Sequence, residues 1–151
     1  TASLFAVLIG AWIFSNFVNL AGLPEALLAA VTAFDLGPWV VMGLILLIYI
    51  VLGCVFESMS MLLLTVPIFF PLVNSLGFDP VWFGIIVVVV TEISLITPPV
   101  GLNVFVLKSV VGDVTTATIF KGVTPFWMMD IVRLILLLLF PTLVLFLPSQ
   151  M

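Results

Sequence analysis

The chain has 151 residues, of which 65% are hydrophobic and 7% are charged, and its formal net charge is −4. A soluble core of this length cannot hide so much apolar surface, so the composition indicates an integral membrane protein. The few charged side chains are scattered, which excludes a basic face for nucleic acid. One cysteine and no histidine exclude an internal disulfide, a cysteine-rich metal site and Ser-His catalysis.

The first predicted elements are a membrane span over residues 3–21 and a short helix over residues 24–34. The span is close to the ~20 residues that a transmembrane helix needs, whereas the short helix cannot cross and is expected at the membrane interface. The sequence starts within an apolar stretch and without an initiator Met. We therefore expect the C-terminal part of a longer protein.

Residues 39–73 are predicted to form a helical hairpin with a polar tip. Glu57, Ser58 and Ser60 form the tip, and Pro67 and Pro71 interrupt the second arm. Short arms around a polar turn favour a re-entrant hairpin, with two full crossings as the alternative. Residues 74–80 form the clearest loop of the chain.

Residues 81–111 predict a membrane helix that is broken at residues 97–101, with the sequence TPPVG. The two prolines lack N–H groups and each clashes with the preceding turn at ~3 kcal/mol or more, so the carbonyls of Ser94 and Leu95 should lose their helical partners. In hydrocarbon, such carbonyls are tolerated only where protein, water or a ligand satisfies them. The break therefore predicts a cavity and a ligand, with a simple kink as the alternative.

The two half-helices that flank this break should carry opposite partial charges. The C-terminal end of the first, at Ile96, is partly negative and suits a cation such as Na⁺. The N-terminus of the second, at Asn103, is partly positive and suits a carboxylate. The sequence thus predicts that one break serves both a cation and an anion.

A polar connector over residues 112–122 and a last span over residues 124–147 complete the chain. Lys108 and Lys121 near the connector place it in the cytoplasm by the positive-inside tendency. Asp130 and Arg133 are spaced to pair on one helix face, which is a structural role.

Two glutamates of the predicted membrane region, Glu57 and Glu92, are candidates for ion binding, ion coupling or catalysis. Oxygen ligands suit hard cations, so Glu57, Ser58 and Ser60 could bind Na⁺ or gate the cavity, with a solvated turn as an equal alternative. Glu92 lies in an apolar stretch before the break, which favours a role in ion coupling or a structural pair. An intramembrane enzyme would need Glu57 and Glu92 as a close carboxylate pair, but no nucleophile or metal ligand accompanies them. We therefore predict that the chain is not an enzyme.

Several stretches resemble the large membrane subunit, DctM-like, of tripartite ATP-independent periplasmic (TRAP) transporters. Residues 53–71 are similar to the second hairpin of that family, residues 76–84 to the loop that follows it, and residues 92–103 to its broken helix. Residues 120–126 and 140–148 are similar to its C-terminus.

The resemblance implies an all-α membrane protein, one half of an inverted-repeat fold with a re-entrant hairpin and a proline-broken helix. It implies a multi-pass permease of the bacterial inner membrane that imports an organic acid anion, C4-dicarboxylate or sialic-acid-like. Na⁺ would be the coupling ion, with no cofactor and no other metal. A periplasmic binding protein and a small membrane subunit would be its partners. A carboxylate transporter of a related broken-helix family, without a binding protein, is the alternative.

The resemblance also assigns roles to residues of the two motifs. It places Na⁺ contacts at Ser58, Thr97 and Gly101. The substrate region would comprise Pro98, Pro99, Val100 and Asn103.

Overall fold

The computed structural model describes the backbone of residues 2–98, 100–146 and 148–150, and side chains from residue 5 onward except 149. Within that part the chain is helical and has no strand, so the all-α prediction is confirmed. The helices are α1 (Ala2–Leu20), α2 (Leu23–Ala33), α3 (Pro38–Gly53), α4 (Ser58–Ser75), α5 (Pro80–Ile96), α6 (Leu102–Val111), α7 (Thr116–Leu139) and α8 (Pro141–Leu145), followed by a 3₁₀ turn over Pro148–Gln150.

The centre of the fold consists of α3, α4 and α5. Short connections at residues 54–57 and 76–79 reverse the chain twice, so α3 and α5 run parallel to each other and antiparallel to α4. Tyr49, Met61 and Trp82 are almost fully buried between these helices. Near the starts of α3 and α5, the rings of Trp39 and Phe78 pack edge to face with centroids 5.2 Å apart. The predicted hairpin therefore packs along the first half of the predicted broken helix.

Two prolines lie inside α4 without ending it. Pro67 and Pro71 both lie within the continuous helix, so the predicted interruption of this arm is wrong. Each proline removes one N–H group, and in a membrane helix neighbouring helices and local adjustments can satisfy the carbonyl that this frees. Here α1, α2, α3 and α5 all pack against α4. Pro125 lies inside α7 in the same way.

The last long helix begins earlier than the sequence predicts. α7 starts at Thr116, so it takes up part of the stretch interpreted as a polar connector over residues 112–122. The reason is an N-cap: the hydroxyl of Thr115 accepts a hydrogen bond from the Thr118 N–H at 3.2 Å. The remaining connector is closed by Lys108, whose Nζ donates to the carbonyls of Gly112 at 2.9 Å and Val114 at 2.6 Å.

The same helix ends before the predicted boundary at residue 147. α7 stops at Leu139, and Pro141 begins the short helix α8. Proline is well suited to the first turn of a helix but removes a hydrogen bond from a helix interior, which explains why a new helix begins at Pro141. Leu147 itself lies outside the described residues.

Several helices have the length or composition of membrane segments. Among the described residues, α4 and α7 are long and apolar enough to cross a bilayer, and α1 with α2 would add a third span if this pair, bent by 51°, crosses as one. α3, α5 and α6 are apolar but shorter. With the composition, these helices identify a membrane protein. The interfacial position of residues 24–34 stays a prediction.

Candidate functional site

The hairpin tip and the helix break lie at the same end of the α3, α4 and α5 bundle. Gly53, in the last turn of α3, meets Ser94 in the last turn of α5 so closely that a Cβ on Gly53 would lie 1.8 Å from Ser94 Oγ. The same Cβ would lie 3.6 Å from the terminal methyl of Met61 in the first turn of α4. Gly53 precedes the tip and Ser94 precedes the break by only a few residues. The fold therefore brings together the two motifs that the sequence marked as functional.

α5 ends where the sequence predicts, at Ile96, directly before the TPPVG break. Thr97 is extended, with φ −74° and ψ 130°, as expected for a residue that precedes proline. Its N–H donates to the carbonyl of Ser94 at 3.2 Å, and its hydroxyl donates to the carbonyl of Ile93 at 2.6 Å. The carbonyl of Ser94 therefore loses its i→i−4 partner as predicted, since residue 98 is a proline, but the Thr97 N–H replaces the missing donor.

Two carbonyls remain open at the C-terminus of α5. Within the described residues, neither Leu95 nor Ile96 receives a hydrogen bond at its carbonyl oxygen. The sequence pointed to Leu95 but missed Ile96, because it counted only the carbonyls opposite the two prolines. Both oxygens lie at the partly negative end of the helix, where a cation is favoured.

α6 begins with a glycine in a left-handed conformation. Gly101 has φ +54°, and its carbonyl accepts hydrogen bonds from Val104 at 2.8 Å and Phe105 at 3.3 Å. Its carbonyl thus serves the first turn of α6, so the structure gives Gly101 a conformational role. A direct Na⁺ contact through Gly101 stays a prediction.

The predicted substrate residues lie around the start of α6. Asn103 and Val100 are exposed, and Pro98 is exposed on the other side of the break. Pro99 lies outside the described residues. Among the described residues, no side chain caps α6. The Val104 N–H already donates to the Gly101 carbonyl, which leaves the N–H groups of Leu102 and Asn103 available to an anion.

α7 covers the break from behind. The indole Nε1 of Trp127 donates a hydrogen bond to the hydroxyl of Thr97 at 2.9 Å. The ring of Phe120 lies 3.3 Å from the position that a Cβ on Gly101 would take. Between the break and α7 lies a cavity of about 180 Å³, and its walls come from Ile96, Pro98, Phe120, Val123, Thr124 and Trp127. Trp127 was not singled out from the sequence, although a buried indole N–H usually finds a hydrogen-bond acceptor.

Glu57 at the hairpin tip is the N-cap of α4. Its carboxylate accepts hydrogen bonds from the N–H groups of Met59 at 2.9 Å and Ser60 at 3.0 Å. The hydroxyls of Ser58 and Ser60 both donate to the same carboxylate at 3.2 Å. These contacts, the backbone N–H of Met59 foremost, lower the pKa of the Glu57 carboxyl. The structure therefore shows a capping role that neither sequence alternative for Glu57 included.

The other charged candidates stay apart from this arrangement. Glu92 is exposed on α5 and has no hydrogen bond or ion pair within the described part of the chain. Asp130 and Arg133 form the predicted pair, with 3.0 Å between Oδ1 and Nη2. Glu57 is occupied as a helix cap, so the carboxylate pair of an intramembrane enzyme has no support in the geometry.

Comparison with known proteins decides the family. Residues 1–143 match the family described as the tripartite ATP-independent periplasmic transporter, DctM component. The chain belongs to this family. The predicted resemblance to DctM-like large membrane subunits is thereby confirmed.

Three relatives of this DctM-family chain differ in the substrates that their names state. It is 36% identical to the C4-dicarboxylate TRAP transporter large permease protein DctM of Pseudomonas aeruginosa, over 99% of this chain and 35% of that protein. It is 34% identical to the sialic acid TRAP transporter large permease protein SiaM of Vibrio cholerae, over 99% of this chain and 35% of that protein. It is 34% identical to the ectoine/5-hydroxyectoine TRAP transporter large permease protein UehC of Ruegeria pomeroyi, over 97% of this chain and 34% of that protein.

The DctM-family chain spans about a third of the length of these relatives. The relatives are transporter permeases rather than enzymes, which agrees with the prediction that this chain is not an enzyme.

Proposed function

We propose that this chain is part of the large permease subunit of a Na⁺-coupled secondary transporter that imports organic acid anions. The permease would be a multi-pass protein of the bacterial inner membrane. A periplasmic binding protein would deliver the anion, C4-dicarboxylate or sialic-acid-like, and a small membrane subunit would be its partner in the membrane. The observation that carries this proposal is the break at residues 97–101, which lies beside the hairpin tip in a member of the DctM family.

Na⁺ would bind where α5 ends. The open carbonyls of Leu95 and Ile96 and the hydroxyl of Thr97 supply the oxygen ligands that a hard cation prefers. The partly negative end of α5 adds to their attraction. Gly101 would set the backbone path of the site, and Ser58 at the neighbouring hairpin tip would complete it.

The anion would bind at the start of α6. The N–H groups of Leu102 and Asn103 and the side-chain amide of Asn103 would bind the anion on the partly positive side of the break. Pro98, Pro99 and Val100 would supply backbone surface to this substrate region. Because the cation and anion sites share one short segment, each ligand would stabilise the segment for the other.

The hairpin tip would control access to the pair of sites. Glu57 fixes the start of α4 and holds Ser58 and Ser60 at the tip, so it would act through the position of the tip. The hairpin would be re-entrant. Coupling requires that the bound ions stabilise one position of the hairpin more than another. Glu92 would pair with a cation from the inverted-repeat partner half of the permease.

The proposal is tested by uptake into proteoliposomes that hold the full-length permease subunit and the small subunit, with the binding protein outside. We expect uptake with an inward Na⁺ gradient and little uptake when K⁺ replaces Na⁺. Thr97→Ala should weaken the Na⁺ dependence, because it removes a ligand. The matched control is Thr32→Ala, since the Thr32 hydroxyl makes the same kind of bond to helix carbonyls in α2, at 3.1 Å and 2.9 Å.

The proposal fails if Na⁺ and K⁺ support equal uptake, or if Thr97→Ala and Thr32→Ala behave alike. Uptake without the binding protein would instead support the related family of carboxylate transporters.

A further inference from the structure

We infer that Trp127 is a positioning residue for the proposed cation site, which it serves by orienting the Thr97 hydroxyl through its indole N–H. This inference rests on the proposed function above. Its starting point is the 2.9 Å hydrogen bond between Trp127 Nε1 and Thr97 Oγ1, which joins α7 to the break.

The hydroxyl of Thr97 has a limited set of hydrogen bonds to make. A hydroxyl has one donor and two acceptor positions. The donor goes to the Ile93 carbonyl at 2.6 Å, and one acceptor position receives the Trp127 N–H. One lone pair remains for a cation. Without the indole, the free acceptor position would no longer be fixed.

The indole has a strong reason to stay on Thr97. Trp127 is half-buried, and a tryptophan N–H that is removed from water needs an acceptor. Thr97 Oγ1 is the acceptor that the described residues provide. The bond therefore fixes both partners, and the threonine does not have to be ordered when the ion arrives.

α7 holds the break at two points. Trp127 contacts Thr97 at the end of α5, and Phe120 packs on Gly101 at the start of α6. These two aromatic side chains are two turns apart on α7, about 10 Å along its axis. α7 thus spans the gap between the two half-helices and keeps the ends of the break at a fixed separation.

The test compares two tryptophans that both donate to an acceptor across a helix contact. Trp82 Nε1 donates to the carbonyl of Leu137 at 2.9 Å, at a contact between α5 and α7 away from the break. Trp127→Phe and Trp82→Phe each remove one indole N–H. In the full-length transporter, we expect Trp127→Phe to raise the half-saturating Na⁺ concentration roughly three- to tenfold, the effect of one lost hydrogen bond. The maximal rate should change less, and Trp82→Phe should leave the Na⁺ dependence near the wild-type value.

A second variant separates the N–H group from the size of the ring. Replacing the Trp127 indole by a benzothiophene keeps the bicyclic ring and removes the donor. It should raise the half-saturating Na⁺ concentration as Trp127→Phe does. Na⁺-specific thermal stabilisation of the purified protein should weaken in parallel, which gives a readout besides transport.

The outcomes distinguish this inference from the proposed function. A wild-type transporter whose uptake and melting ignore Na⁺ overturns both. A wild-type transporter that depends on Na⁺, with Trp127→Phe or the benzothiophene variant unchanged in that dependence, overturns the role of Trp127 alone. Equal effects of Trp127→Phe and Trp82→Phe overturn it as well, because they would show general destabilisation.

Discussion

Two proline-containing segments of this chain have opposite consequences for its helices. In α4, Pro67 and Pro71 are four residues apart and the helix continues through both. At the break, α5 ends at Ile96, shortly before Pro98, and a new helix starts only at Leu102. Proline alone therefore does not decide where a membrane helix opens.

Spacing and the neighbouring residues explain the difference. Pro67 and Pro71 each remove a single N–H group from α4, which α1, α2, α3 and α5 surround. At the break, Pro98 forces Thr97 into an extended conformation, so α5 cannot continue. Gly101 then supplies a φ of +54° that other residues rarely adopt. The comparison teaches that a proline breaks a membrane helix when the following residues also prevent the helix from continuing.

The largest expected effect comes from the glycine that restarts the helix. Gly101→Ala should cost ~1–2 kcal/mol for the left-handed backbone, and its Cβ would press on the Phe120 ring at 3.3 Å. We expect Na⁺-driven uptake to be almost abolished. Gly77→Ala is the matched control, because Gly77 has φ +85° with open space around its Cβ position. Gly77→Ala should lower the melting temperature and leave the Na⁺ dependence of uptake intact. Equal losses of uptake in both variants would mean that Gly101→Ala acts only through backbone strain.

A second prediction tests whether the break depends on its neighbour α3. Gly53→Ala would place a Cβ 1.8 Å from Ser94 Oγ, so α3 and α5 must separate at the hairpin tip. Such overpacking costs ~1–3 kcal/mol, and uptake should fall with it. Ser94→Gly in the Gly53→Ala background should restore part of the stability and part of the uptake. Failure of this rescue would mean that the tip and the break are not held together by this contact.

A third prediction compares the replacement of a proline inside α4 with the replacement of a proline at the break. Pro67→Ala should leave uptake unchanged and should stabilise α4, because it returns a backbone donor to a helix interior. Pro98→Ala should reduce uptake roughly tenfold, equivalent to ~1.4 kcal/mol, since it lets α5 extend into the break. Uptake and melting temperature of the full-length protein measure both effects. Similar uptake in the two variants would remove the distinction between α4 and the break.

The smallest effect concerns the cap of α4. The lowered pKa of Glu57 means that its hydrogen bonds stabilise the fold above the ordinary carboxyl pKa, and this stability is lost as the pH falls through the lowered value. Glu57→Gln should therefore flatten the decline in melting temperature under acidic conditions. Glu25→Gln is the control, because Glu25 makes no capping hydrogen bond in α2. A pH profile that Glu57→Gln leaves unchanged would contradict the capping role.

The sequence predicts the break well because the effect of proline and glycine on the backbone is local. Thr97 and Gly101 needed no knowledge of the rest of the chain. The contact of Trp127 with Thr97 joins residues thirty apart, and only the packing of α7 brings them together. The continuity of α4 was mispredicted for the same reason, since its neighbours are what tolerate Pro67 and Pro71. The cap at Glu57 was harder to predict, because the residues that commonly cap a helix N-terminus are Ser, Thr, Asp, Asn and Gly.

The most direct test of the central claim is equilibrium binding of radioactive sodium to the purified full-length protein. The wild type is compared with Thr97→Ala at the break and Thr65→Ala in α4, where the buried Thr65 hydroxyl lies 2.8 Å from the Tyr49 hydroxyl. We predict that Thr97→Ala loses most of the Na⁺ affinity and that Thr65→Ala keeps it despite a lower melting temperature. Normal Na⁺ binding by Thr97→Ala would contradict the assignment of the cation site to the break.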